Sequence, residues 1–110
     1  MPSAASNATR GLIWGGGGDQ VNRTNVIDFV TIASTGNATD FGDMTLAAQS
    51  GTATASPTRC TYYSGNRGET NVIQYVEIMT TGNAVDFGDA ATGSHGKYSH
   101  CGFSNGHGGL

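Results

Sequence analysis

His95, His100, Cys101 and His107 crowd toward the C-terminus, and with Cys60 they are the residues best suited in kind to hold zinc. Their spacing fits no standard zinc pattern, and adjacent His100 and Cys101 would face opposite sides of a strand. Surface histidines flanked by glycine are the plainer reading, so no metal site is expected. Cys60 and Cys101 are too few for a disulfide framework; one bridge and two free thiols both stay open. The carboxylates Asp19, Asp28, Asp40, Asp43, Glu69, Glu77, Asp86 and Asp89 include no isolated pair with an acid/base environment. Asp40–Gly42 and Asp86–Gly88 spell the kinase DFG, but the motif occurs twice with no catalytic-loop partner. A strand bent or bulged at Gly42 and Gly88, with aspartates bonding local backbone, accounts for it. Gly15–Gly18 lacks the GK[ST] ending and the GxGxxG spacing, and precedes no helix that could hold a phosphate. No Ser-His-Asp or Cys-His arrangement stands out. The chain is expected to be no enzyme and to carry no cofactor.

Composition narrows the partners. The 110 residues leave room for one small domain. Charged residues make up 12%, five of them basic, and the formal net charge is −3. Nucleic acid and anionic membrane surfaces both call for clustered Lys and Arg, so neither is expected. No stretch reaches the length of a spanning helix, and MPSAASNATR lacks the basic and apolar regions of a secretory signal. Export by another route, or within an assembled particle, stays open. The sequons at Asn7, Asn22 and Asn37 matter only in a eukaryotic secretory route.

The elements that must position these residues are organised by a repeat. TNVIDFVTIASTGNATDFGD (Thr24–Asp43) returns as TNVIQYVEIMTTGNAVDFGD (Thr70–Asp89), with fourteen of twenty positions identical at a constant offset of 46. A period of this size marks a repeat architecture. Short β-branched and aromatic runs bounded by Gly, Asn and Pro read as strands, and no helical periodicity competes. In the first unit the strands are Ser3–Ala8, Arg10–Trp14, Asn25–Ala33 and Ala38–Leu46, with a hairpin turn at Ser34–Asn37. In the second they are Thr52–Ser56, Arg59–Ser64, Asn71–Met79 and Ala84–Ala90, with turns at Pro57–Thr58 and Thr80–Asn83. The second loop is three residues shorter, so the early strands repeat at an offset of 49. Tyr98–Ser104 reads as the first strand of a third unit that stops at Leu110. The expected divisions are 1–51, 52–97 and 98–110.

Along the third strand Val26, Val30 and Ile32 point one way, Ile27 and Phe29 the other; Val72, Val76 and Ile78 oppose Ile73 and Tyr75 in the copy. Both faces are mainly apolar, so both are expected to be covered. Four-stranded antiparallel sheets stacked face to face around an axis make a β-propeller. The unit resembles a kelch repeat: LIWGG (Leu12–Gly16), VIDFV (Val26–Val30) and Phe41 in the first copy, TYYSG (Thr61–Gly65), VIQYV (Val72–Val76) and Phe87 in the second. It departs from that family in Ser64-Gly65 for the double glycine and in Phe for the usual outer-strand Trp. The wording NVIDFVTIASTGNATDFGD is similar to tandem repeats in structural proteins of marine bacterial viruses, cyanophages in particular. That resemblance implies a virion or tail setting. Some kelch-type propellers are copper oxidases, but no Tyr-Cys and paired-His site matches here.

Propellers need about four to eight blades, and two leave apolar faces bare at both ends. Copies are therefore expected to associate head to tail, three chains giving six blades or four giving eight. The remnant Tyr98–Leu110 would serve as a closing strand. The loops Gly15–Arg23 with Ala48–Gly51, and Asn66–Glu69 with Thr92–Lys97, would share one face of the disc. Asp19, Gln20, Arg23, Arg67, Glu69 and His95 would line it, with Trp14 or Tyr63 nearby if exposed, a mixture suited to a cell-surface glycan. Solvated loops with no ligand are the plain alternative. The leading expectation is a non-enzymatic structural and interaction module, and the second is a lectin-like one.

Overall fold

The computed structural model describes residues 2–17, 22–63, 71–90 and 101–106. Among them the chain is all-β: two four-stranded antiparallel sheets and no helix. The first sheet runs β1 (Ser3–Ser6), β2 (Arg10–Trp14), β3 (Val26–Thr31) and β4 (Thr39–Asp43) in simple neighbour order. The second repeats it with β5 (Thr52–Ala55), β6 (Arg59–Tyr63), β7 (Val72–Glu77) and β8 (Val85–Asp89).

Side chains set where strands stop. β1 ends at Ser6 because Asn7 Oδ1 accepts from the N–H groups of Thr9 and Arg10, both at 2.8 Å, which closes the turn into β2. Ser56 does the same before β6, its Oγ accepting from Thr58 N at 3.3 Å and Arg59 N at 3.1 Å. The third strands end sooner than their apolar run suggests. Ser34 N donates to Thr31 O at 3.3 Å and Thr80 N to Glu77 O at 3.2 Å. The chain therefore reverses at Thr31–Ser34 and Glu77–Thr80, and the TGNA segments are not the hairpin turns that their glycine suggested. Opposite β3 the ladder pairs Ile27 with Gly42 and Asp28 with Asp40, so Phe41 is the extra residue of a bulge; Phe87 is its copy in β8.

Side chains alternate along each strand, so each sheet has two faces, and one face of the first meets the opposite face of the second. Leu12, Trp14, Ile27 and Phe41 come from the first sheet, and Cys60, Tyr62, Val76 and Ile78 from the second, to form one buried cluster. Trp14 and Tyr62 stack across it with ring centroids 5.3 Å apart. β1 and β5 lie side by side, with Ala53 N donating to Ser3 Oγ at 2.9 Å. Burying side chains of this size typically contributes about 1.5–3 kcal/mol each, so the joint between the sheets stabilises the pair. Cys101–Ser104 forms no ladder, although Gly102 lies against Thr54 on the far face of the second sheet. Residues 98–100 and 107–110, which complete the expected third unit, lie outside the described residues.

Candidate functional site

Of the residues expected to line a ligand face, Arg23 alone is among those described; Asp19, Gln20, Arg67, Glu69 and His95 lie outside them. Arg23 is half-buried, and its buried Nε has no hydrogen-bond partner among the described residues. Trp14 is no surface platform: it is fully buried because its ring is needed against Tyr62 in the joint. Tyr63 is half-buried and lines a cavity of about 370 Å³ with Thr54, Thr61, Ile73 and the segment Cys101–Phe103. Both cysteines are free thiols, Cys60 buried and Cys101 exposed. Burial pushes the Cys60 thiol up to about 12, the neighbouring Trp14 side chain offsetting only part of that. His95, His100 and His107 lie outside the described residues, and no metal-holding group of His, Cys, Asp and Glu occurs among those described.

What the fold does bring together is the repeat motif itself. The TGNA segment of the second unit docks on the outer edge of β4. Gly82 N donates to Phe41 O at 2.9 Å, and Ala84 N to Asp43 O at 2.8 Å. Between them Asn83 Oδ1 accepts from Asp43 N at 3.0 Å. Gly42, at φ 153°, leaves the room for this approach: a Cβ there would collide with the carbonyl of Gly82. Two more bonds flank the joint. Arg10, lying 4.5 Å over the Phe29 ring, donates from Nη1 to Ile78 O at 3.0 Å. Asn7 Nδ2 donates to Pro57 O at 2.8 Å. Within the cluster Gln74 is fully buried and its Oε1 accepts from Thr45 N at 2.9 Å.

The repeat places copies of these groups on the two outer faces of the sheet pair. Phe41 is 3% exposed and its copy Phe87 is 55% exposed; Ile78 is 0% exposed and its copy Ile32 is 55% exposed. Gly88 repeats Gly42 with φ 149°, and nothing stands within 4 Å of the place its Cβ would take. The Thr35–Ala38 segment, copy of the docked one, is exposed throughout. Arg59 lies 4.4 Å over Tyr75 as Arg10 does over Phe29, but it pairs with Glu77 at 3.1 Å. The first sheet's side of the joint is thus repeated on the far face of the second sheet, exposed at Phe87 although Gly102 lies against Thr54 on that face, and the second sheet's side is repeated on the far face of the first, exposed at Ile32. Sequence reasoning missed the docking of TGNA on DFGD. The signal was present, since both motifs are identical in the two copies, but it was read as turn and bulge alone.

No protein-family model matches this chain, and no curated protein matches it.

Proposed function

We propose that the chain is a non-enzymatic structural and interaction module, two blades of a β-propeller that is completed by head-to-tail association of copies. The observation behind this reading is the pair of unequal twins: Phe41 and Ile78 are covered in the joint, while Phe87 and Ile32 are exposed on the outer sides of the two sheets. A soluble chain gains by covering such faces, and the surface that fits each one is already encoded at the other end. Three chains would close six blades and four would close eight. The virion or tail setting comes from the resemblance to marine phage repeats and belongs to the same proposal. Light scattering with in-line chromatography tests it. A mass of three or four chains is expected, and a compact 11.2 kDa species at all concentrations would refute it.

The lectin-like reading stands second. The burial of Trp14 deprives it of its strongest stacking ring and leaves Tyr63. Thermal melts with a saccharide panel test it; the absence of any shift removes it.

A further inference from the structure

The joint inside the chain is directional, and its edge contact is a separable device. Packing of apolar faces tolerates sliding, because dispersion and area burial have no fixed register. Three backbone-centred hydrogen bonds along a strand edge do not. In the chain's own joint these bonds run from the TGNA segment to β4, and a glycine at the bulge admits the incoming carbonyl.

Every component of that contact has a second copy. The donor segment is Gly36, Asn37 and Ala38, exposed, with open space at the Cβ position of Gly36. The receiving edge is Phe87, Gly88 and Asp89 on β8, which shares with β4 its bulge, its glycine conformation and its end position in the sheet. Among the described residues nothing fills the cradle at Gly88, whereas Gly42 is filled by Gly82 and Asn83. A strand edge that no described residue pairs, with a glycine notch that none fills, is a surface made for backbone.

We infer that one chain seats its Thr35–Ala38 segment on the β8 edge of a second copy. Gly36 N donates to Phe87 O, Asn37 Oδ1 accepts from Asp89 N, and Ala38 N donates to Asp89 O. This rests on the self-association proposed above and adds the contact that fixes its register. It also accounts for the identity of TGNA and DFGD in the two units: each must serve both as the inner contact and as the outer one.

The test uses the full chain with Cys101→Ser, so that buried Cys60 is the remaining native thiol. Asn37→Cys and Asp89→Cys are introduced singly and together, and a short bismaleimide is added. Asp43→Cys with Asn83→Cys is the control, and it should cross-link within a single chain. The expected result is a ladder of covalent multimers from the Asn37→Cys/Asp89→Cys double variant and single chains from each single variant. Assembly by light scattering without that ladder overturns the edge contact and leaves the association standing. Cross-linking by Asn37→Cys alone, which requires like ends to meet, overturns it as well. A single-chain mass at every concentration overturns both.

Discussion

Trp14 and Tyr62 lie face to face across the two sheets, 5.3 Å between centroids and 4° from parallel. Each comes from the second strand of its own unit, and both are almost completely buried. Truncating either removes a large ring from a packed site. Trp14→Ala and Tyr62→Ala should each cost about 3–5 kcal/mol in urea unfolding. The double variant should lose less than the sum by about 0.5–1.5 kcal/mol, the coupling of an aromatic pair. Trp14 is the sole tryptophan, so its fluorescence reports the joint directly. A loss below about 1 kcal/mol for both would mean that the sheets do not stabilise each other.

Gly42 and Gly88 form a natural control pair. Both sit at bulges with φ near 150°, so an alanine at either carries backbone strain of about 1–3 kcal/mol. Only at Gly42 does the new Cβ also meet the carbonyl of Gly82. Measured where the chain is dilute and single, Gly42→Ala should be the more destabilising by at least about 1 kcal/mol, the scale of a lost buried hydrogen bond. Equal losses would show that the docked segment contributes nothing.

Short runs bounded by Gly, Asn and Pro, together with the repeat offset, located the eight strands of the described residues, because the repeat constrains local pairing strongly. Their ends were less legible. Asn7 and Ser56 cap turns through side chains whose partners lie only two or three residues on, and Ile32 and Ile78 extend the apolar run beyond the ladder. The edge contact was harder still. Nothing in the spelling of TGNA distinguishes a hairpin turn from an extended segment with a free edge to find. The sequence leaves open whether Trp14 is exposed beside the loops, and only the stacking with Tyr62 reveals why it is buried.

The two thiols should behave oppositely. At neutral pH a thiol reagent should label Cys101 quickly and Cys60 only as the chain unfolds. Folding raises the Cys60 pKa from 9.0 to about 12, chiefly by burial, so between those values the folded chain holds a proton that the unfolded chain releases. The stabilising effect is complete below pH 9.0 and is lost as pH rises toward about 12. The slope is about 1.4 kcal/mol per pH unit for one proton. Burial raises Tyr62 in the same direction. Urea melts from pH 7 upward should show stability falling above the Cys60 threshold. Cys60→Ala, though weaker at neutral pH, should fall less steeply; an identical slope would remove Cys60 from the account.

Asp28 occupies the first-unit position that Gln74 fills in the second. Gln74 is buried in the internal joint and uses its Oε1 on Thr45 N. Asp28 faces Asp40 directly across the β3–β4 ladder, so two carboxylates share the face that a second copy would cover. Like charges in direct opposition repel, and covering a carboxylate costs more than covering an amide. The joint between copies should therefore be weaker than the joint within one, which also has Ile13 where the internal joint has Tyr62. Asp28→Gln rebuilds the second-unit face on the first. It should tighten association by about tenfold, equivalent to ~1.4 kcal/mol, read as a shift of the concentration midpoint in sedimentation. High salt should narrow the gap between Asp28→Gln and the parent, because it screens the carboxylate pair. Unchanged or weaker association would mean that this carboxylate finds a partner on the neighbouring copy.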